Sequence, residues 1–386
     1  MLTNNYPSRH LVLIGVTGTD GKTTTCHLIY EILKTARIKV GLISTIGAFA
    51  GDTEMDTGLH VTTADARLLQ PLLARMVKEG ITHVVLEVTS HSLDQNRLIG
   101  CNFYVGVVTN ITHEHLDYHQ TFERYREAKA KLVLSTQYSV LNQDDPSFEY
   151  LKSRSKGQVI PYAKTRMEIT NPALVGEYNK YNVGAAEAVA KALKISRKAG
   201  SRFAGQDSII RRALQEFMGV PGRMEEIKWP EACLPAGRFR VIVDFAHTPN
   251  ALEQVLRELK TQKSKLQKLI LVFGCAGLRD HTKRPLMGKI AVKYADKVII
   301  TAEDPRTENL DQIYEQIVSK LSTEHLALVT REDDRQKAIN MAVAMAKLGD
   351  IVVVAGKGHE KSMCFGKTEI PWSDREAVEK AIHTNF

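Results

Sequence analysis

The stretch Leu11-Val12-Leu13-Ile14-Gly15-Val16-Thr17-Gly18-Thr19-Asp20-Gly21-Lys22-Thr23-Thr24-Thr25 decides how the rest of the chain is read. An apolar run of strand type ends in a glycine-punctuated turn, and Lys-Thr follows where a helix begins. Such a turn aims the backbone N–H groups of 18–21 and of the helix start inward at an anion. Lys22 adds a point charge, and the Thr23 hydroxyl can ligate Mg²⁺. The full G-x-x-x-x-G-K-[ST] pattern is not present, because Val16 stands at its first glycine position. A glycine turn before a helix is structural in many proteins. With strand, Lys and Thr in register, Gly18, Thr19, Asp20, Gly21, Lys22, Thr23 and Thr24 are predicted to bind ATP.

Outward from this stretch, apolar β-type runs alternate with helical patterns: 11–16 then 22–35, 82–88, 103–109 then 121–134, 239–245 then 249–260, 268–274, 297–301 and 350–355. That alternation predicts an α/β fold with a mostly parallel sheet and helices on both faces. A chain of 386 residues is long for one domain and comfortable for two. The Pro-Gly pair in Gly219-Val220-Pro221-Gly222-Arg223 interrupts helical sequence before a new β/α series, so the predicted domains are 1–220 and 221–386. Segment 151–176 has weak periodicity and receives no structural reading.

Composition narrows the function. Hydrophobic and charged contents of 43% and 25% are ordinary, no apolar run is long enough to span a bilayer, and no leader pattern opens the chain. The expectation is a cytoplasmic protein with no membrane partner. Cys26, Cys101, Cys233, Cys275 and Cys364 are odd in number and scattered, which predicts reduced thiols. The formal net charge of +8 comes from dispersed basic residues not interleaved with aromatics, so no nucleic-acid partner is expected. A polyanionic small substrate and a plain solvated basic surface both remain open.

Two further runs carry chemistry. Thr82-His83-Val84-Val85-Leu86-Glu87 reads as a buried strand that delivers a carboxylate at its C-terminal end, where open α/β sheets bind ligands. Glu87 is thus placed to hold Mg²⁺ against the phosphates, or else to cap the next helix. Thr109-Asn110-Ile111-Thr112-His113-Glu114-His115-Leu116-Asp117-Tyr118-His119 is dense in potential ligands. One reading is a zinc hydrolase, from His113, His115, Asp117 and His119. The other is a magnesium phosphoryl-transfer site, in which one histidine and a nearby anion hold a second metal. The spacing fits zinc poorly, and the phosphate loop argues for magnesium.

These blocks together resemble the Mur ligase family, and within it the MurE type, which adds the third residue of the peptidoglycan stem peptide. The resemblance covers nearly the whole chain, through Gly18-Thr-Asp-Gly-Lys-Thr23, Thr62-Thr63, Glu87-Val-Thr-Ser-His91, Thr109-Asn110, His115-Leu-Asp-Tyr-His119, Ala128-Lys129 and Asn179-Lys-Tyr-Asn182. It continues through Pro221-Gly-Arg-Met-Glu225, Asp244-Phe-Ala-His-Thr-Pro249, Phe273-Gly-Cys275, Lys283-Arg-Pro-Leu-Met-Gly288, Asp304-Pro-Arg306 and Gly356-Lys-Gly-His-Glu360. It implies a central P-loop-type ATPase domain followed by a Rossmann-like C-terminal domain that binds the amino acid. The implied reaction phosphorylates the acceptor's carboxylate from ATP, and an amino acid's amine then displaces phosphate to give an amide. Pushing two anions together requires concentrated positive charge. The implied catalytic residues are Lys22, Glu87, His115 and Lys129. One Mg²⁺ would sit on Thr23 and Glu87, and a second on His115 and a carbamate carried by Lys129; Lys131 is then a surface lysine.

The resemblance also assigns substrate contacts. Asn182, Arg223, Asp244 and His247 would hold the nucleotide, with Arg223 reaching the γ-phosphate as the domains close. Thr62, Thr63, Thr89, Gln95 and Arg97 match acceptor contacts, although Thr62 and Thr63 could equally cap the following helix. Arg279, Glu303, Asp304, Arg306, Gly356 and Glu360 match contacts with the incoming amino acid. Arg306 favours meso-diaminopimelate over L-lysine, since a guanidinium pairs with a second carboxylate, while Glu303 and Asp304 make the pocket more acidic than the family's D-N-P-R signature. Full-length MurE enzymes carry an N-terminal domain that holds the acceptor's uridine diphosphate, and Tyr6-Pro7-Ser8-Arg9 resembles the connector just past it. A natural two-domain ligase, a separate UDP-binding domain or protein, and a shortened chain all stay open, as does a non-UDP acceptor. Folylpolyglutamate synthases share the two-domain core, but the blocks at 87–91, 304–306 and 356–360 fit them poorly. The family expectation is a monomer; a zinc hydrolase and a non-catalytic nucleotide-binding subunit are the alternatives.

Overall fold

The computed structural model describes residues 6–55, 63, 65–112, 114–195, 205–229 and 239–385. Two compact units divide the chain, Met1–Met218 and Gly219–Phe386. Among the described residues no helix is long and apolar enough to cross a membrane.

The first unit runs β1 (Val12–Thr17), α1 (Lys22–Thr35), β2 (Val40–Ile43), β3 (Ala48–Ala50), β4 (Thr53–Met55), α2 (Ala66–Lys78), β5 (His83–Glu87) and α3 (Ser90–Asp94). It continues with β6 (Phe103–Val108), α4 (Leu116–His119), α5 (Phe122–Ala130), β7 (Tyr138–Asn142), α6 (Phe148–Arg154), β8 (Gln158–Tyr162), α7 (Glu177–Ala192) and α8 (Gln206–Glu216). The sheet order is β4-β3-β2-β5-β1-β6-β7-β8, with every pairing parallel except β2–β3 and β3–β4, so that β3 runs against the rest. From β1 the chain crosses to β2 on one side and later lays β6 on the other. The C-terminal edge of β1 is therefore the crevice where ligands bind in such sheets. Val16 pairs with Glu87 and Thr17 with Val108, so three strands deliver their last residues to that edge side by side. Within segment 151–176 lies β8, an edge strand that pairs only with β7 and carries Pro161, a residue a central strand could not accept. The helical pattern 121–134 divides into α5 and a 3₁₀ turn over Lys131–Leu134.

The second unit runs β9 (Glu225–Glu226), β10 (Arg240–Asp244), α9 (Pro249–Gln262), β11 (Leu269–Phe273), α10 (Arg284–Tyr294), β12 (Lys297–Ile300), α11 (Leu310–Val318), α12 (Thr323–Leu326) and β13 (Val329–Arg331). Then come α13 (Arg335–Met345), β14 (Ile351–Ala355), β15 (Ser362–Phe365), β16 (Thr368–Pro371) and α14 (Asp374–Asn385). Its main sheet has the order β13-β12-β11-β14-β10-β9, with only β9 antiparallel, and β15 and β16 form a separate hairpin. Strand alternation builds two cores. Leu269, Leu271 and Phe273 face α9 and α10 through Leu252, Leu256 and Met287, while Ile270 and Val272 face α13 and α14 through Ala338, Ala342 and Val378. Each such side chain, fully removed from water, contributes about 1.5–3 kcal/mol. Arg335 and Asp374, both 0% exposed and doubly bonded at 2.7 Å, tie α13 to α14. Breaking a buried pair of this kind costs about 3–5 kcal/mol.

Candidate active site

Gly18 and Gly21 shape the turn after β1, with φ of +153° and +79°. A Cβ on Gly18 would fall 1.7 Å from Thr109 Oγ1, and one on Gly21 2.3 Å from Asn182 Oδ1. Neither position admits a side chain. Behind the turn, Thr109 Oγ1 and Asn110 Nδ2 donate to Asp20 O at 2.7 and 3.0 Å, and Asp20 N donates to Asn110 Oδ1 at 2.9 Å. Lys22 Nζ folds back on the turn, donating to Gly18 O (3.1 Å) and Thr19 O (2.8 Å). Thr24 is half-buried in the first turn of α1.

The Thr23 hydroxyl donates to Glu87 Oε1 at 3.1 Å, and Glu87 Oε2 accepts from Thr45 N at 3.1 Å. Glu87 is 1% exposed. A hydroxyl and a carboxylate side by side at a phosphate cradle are hard oxygen donors, a set that fits Mg²⁺. The capping alternative for Glu87 fails, because α3 is capped by Thr89, whose Oγ1 accepts from Ser92 N at 3.1 Å.

Lys129 is the buried lysine of α5, 1% exposed, and its Nζ donates to Gly18 O at 2.6 Å. Burial, and then the charge of Lys22, push its ammonium well below the usual lysine range, against the pull of Asp20 and Glu114. Lys131 instead lies at the surface, paired with Asp94 at 2.8 Å. Tyr125, one helical turn before Lys129, was not singled out by the sequence; its ring centroid is 4.6 Å from Lys129 Nζ and its hydroxyl 3.1 Å from Thr19 Oγ1. The i, i+4 spacing on one helix was the available signal. His115 precedes α4 as its N-cap residue at φ +56°, its ring 5.0 Å from His91 and 6.2 Å from Tyr125. His119 Nε2 lies 3.0 Å from Ser90 Oγ. His113 lies outside the described residues. The Asp117 side chain is likewise outside the described residues, and among those described no three His, Cys, Asp or Glu side chains converge as a metal cluster.

Asn182 is 5% exposed and braces the turn from behind: its Oδ1 accepts from Thr25 Oγ1 (3.3 Å) and its Nδ2 donates to Asn179 (2.9 Å). Of the residues matched to acceptor contacts, Thr63 Oγ1 donates to Glu87 O at 3.0 Å and accepts from Thr89 N at 3.2 Å, while Arg97 donates to Thr63 O at 3.3 Å. Gln95 donates to Tyr118 OH at 3.2 Å. Thr63 is no cap, since Asp65 caps α2. Thr62 lies outside the described residues.

In the second unit Arg223, Asp244 and His247 gather at the end of β10. Asp244 accepts from Met224 N (2.6 Å) and Ala246 N (2.7 Å), the Arg223 guanidinium lies 4.2 Å over the Phe245 ring, and His247 Nδ1 is 2.9 Å from Phe245 O. A second group gathers after β12. Glu303 is 6% exposed, its Oε2 has no hydrogen-bond partner among the described residues, and burial raises its carboxyl to about 7. Asp304, at φ +41°, accepts from Lys357 Nζ (2.8 Å) and Cys364 N (3.0 Å). The buried Lys357 also pairs with Glu360 at 2.6 Å. Asp304 and Glu360 thus share the one charge of Lys357. Lys357 carries no expected role in the sequence, where the glycines on either side of it are the available signal; both adopt positive φ. A Cβ on Gly356 would lie 3.0 Å from Glu303 Oε2. Arg306 is held by its backbone, N to Cys364 O (3.0 Å) and O from Gly366 N (2.8 Å). Arg279 is exposed on the loop after β11.

Residues 16–168 match the family model for the Mur ligase middle domain, and residues 222–358 the model for the Mur ligase glutamate ligase domain. The UDP-N-acetylmuramoyl-L-alanyl-D-glutamate–2,6-diaminopimelate ligase of Geobacillus thermodenitrificans is 37% identical over 410 residues, covering 97% of this chain and 80% of that protein. The like-named protein of Thermosynechococcus vestitus is 38% identical over 408 residues, covering 98% and 78%. A solved structure of a ligase with that name superposes with a TM-score of 0.61 at 31% identity, over 97% of this chain and 78% of that one. A folylpolyglutamate synthase of Mycobacterium tuberculosis shares the fold, with a TM-score of 0.71 at 16% identity over 91% and 89% of the two chains.

Proposed function

The chain belongs to the Mur ligase family of ATP-dependent amide ligases, and from that premise we propose that it joins meso-diaminopimelate to a UDP-N-acetylmuramoyl-L-alanyl-D-glutamate acceptor. A carboxylate oxygen of the acceptor attacks the γ-phosphorus of ATP, and ADP leaves. The amine of the amino acid then attacks the acyl carbon, phosphate departs from the tetrahedral intermediate, and a proton is lost to leave the amide.

In this reading the turn N–H groups and Lys22 hold the triphosphate. Lys22 exchanges two loop carbonyls for phosphate oxygens as the nucleotide enters. Thr23 and Glu87 would hold Mg²⁺, which supplies charge neutralisation when bound. Lys129 is read as a carbamate site that shares a second metal with His115: a neutral amine adds CO₂ and releases a proton, and burial next to Lys22 favours the neutral amine. Thr63, Thr89, Gln95 and Arg97 serve the acceptor, with Thr62 from the resemblance alone. Arg223, Asp244, His247 and Asn182 serve the nucleotide. Arg306 and Arg279 meet the distal carboxylate of the amino acid, which L-lysine lacks, and Glu360 meets an amine.

The observation that carries the reading is the Thr23–Glu87 contact beside Lys22 at the head of α1, in a chain 37% identical to a diaminopimelate ligase. Phosphate release, measured with the UDP-muramyl dipeptide and either amino acid, tests it. Turnover should require both acceptor and amino acid, and should be faster with meso-diaminopimelate. Faster turnover with L-lysine would overturn the amino-acid assignment, and release that ignores the acceptor would overturn the ligase reading.

A further inference from the structure

The loop after β11 and the turn after β12 are separate in sequence, yet one carboxylate holds both. Glu308 belongs to the turn, where its own N–H donates to Pro305 O at 3.1 Å. Its side chain is 7% exposed, and its Oε2 accepts from the N–H of Leu278, the neighbour of Arg279, at 2.8 Å. Arg284, fully buried at the head of α10, closes the frame: Nη2 donates to Glu308 Oε2 and to Ala276 O, both at 2.9 Å. Gly277 N donates to Asp304 O at 2.9 Å, and a Cβ on Gly277 would sit 1.9 Å from Pro305 O, so loop and turn touch backbone to backbone.

Leu278 shows what the frame does. Its φ is +55° and its side chain is 56% exposed, so no apolar burial holds this strained residue in place. The bond to Glu308 does. Arg279 and Arg306 flank the frame, and neither guanidinium has a hydrogen-bonding or ion-pair partner among the described residues. Both are charges carried on pinned backbone, pre-organised for a ligand.

We propose that Glu308 is a positioning residue, setting the separation of the Arg279 and Arg306 guanidiniums and so the preference for an amino acid with a second carboxylate. The proposal rests on reading those two arginines as contacts of the incoming amino acid. Bonding to Arg284 holds the Glu308 carboxyl down at about 2, so the frame stays charged over the whole working range of pH.

Steady-state kinetics of Glu308→Gln in the full chain test it. The amide keeps the shape but turns an NH₂ toward either Leu278 N–H or Arg284. A guanidinium misplaced by about 1 Å is a large loss, so the KM for meso-diaminopimelate should rise about tenfold or more, with the ATP and acceptor KM values within about twofold. Preference over L-lysine should fall by a similar factor. In an Arg279→Ala background the same change should add less than about twofold, because the group it positions is gone. Glu308→Asp, which keeps the charge on a shorter stem, should shift the same KM and serves if the amide variant does not fold. Gln316→Ala, which removes only an outward partner of Arg284, should leave that KM unchanged. Equal shifts for all three substrates, effects additive with Arg279→Ala, or an unchanged amino-acid KM in a folded variant would each overturn the proposal. If Arg279→Ala and Arg306→Ala themselves leave the amino-acid KM unchanged, the assignment of that site falls, and the positioning role with it.

Discussion

Glu303 and Asp304 are adjacent carboxylates with opposite fates. Asp304 meets a lysine and a backbone N–H; Glu303 is buried with one oxygen unpartnered among the described residues, and the nearby charges of Lys283, Arg335 and Lys357 only partly offset its desolvation. It therefore keeps its proton to about 7, where an ordinary glutamate releases it near 4.5. Between those values the folded state binds more protons than the unfolded chain, so this residue makes stability fall as pH rises and then level off above about 7. The whole effect is at most about 3 kcal/mol. Glu303→Gln should remove it. In urea unfolding the variant's advantage over the parent is expected to widen by about 1–3 kcal/mol between about pH 5 and about pH 8. Two curves that stay parallel across that range would show that the slope has another source.

At the scale of elements, the strand–turn–helix of β1 and α1 is where local sequence and chemistry coincide most closely. Gly18→Ala would force a Cβ into Thr109 Oγ1, and Thr109 cannot swing away without releasing the Asp20 carbonyl it holds. The variant should keep its far-UV circular dichroism while ATP turnover drops by about 10²-fold or more, as expected when a cradle shifts by about an ångström. Turnover within about threefold of the parent would refute this account of the turn. The same element explains what could be read in advance: an apolar run, glycines and Lys-Thr are contiguous, so their meaning is local. The runs at 239–245 and 268–274 became β10 and β11, each a residue shorter at either end, for the same reason. The short antiparallel pieces β3, β4 and β9 and the β15–β16 hairpin left no trace, since strands of two to four residues are too short to show alternation. Site residues divide the same way. Lys129 was found through a motif, but the Arg284–Glu308 and Lys357–Asp304 pairs join residues 24 and 53 positions apart, and no local pattern encodes such a meeting.

For the whole molecule the question is which unit carries nucleotide affinity. Each unit closes cores of its own, built around β1 and β5 in one and β11 and β14 in the other, so each is expected to fold as a separate fragment. The phosphate turn, Lys22, Thr23, Glu87 and Lys129 all belong to the first. In the second, Asp244 accepts from Met224 N with one carboxylate oxygen and from Ala246 N with the other, which ties the end of β10 to the segment before β9. The fragment 1–218 should therefore bind a non-hydrolysable ATP analogue with Mg²⁺ by itself. A ligand present at 100 times its Kd stabilises the unit that binds it by about 2.7 kcal/mol, enough to move a melting midpoint by several degrees. Thermal unfolding of 1–218 should show that shift, and 219–386 should show none. The ratio of Kd values for 1–218 and the full chain then measures what residues 219–386 add, each tenfold being about 1.4 kcal/mol. A folded 1–218 whose midpoint ignores the analogue, or a 219–386 whose midpoint follows it, would move the nucleotide site away from the turn after β1.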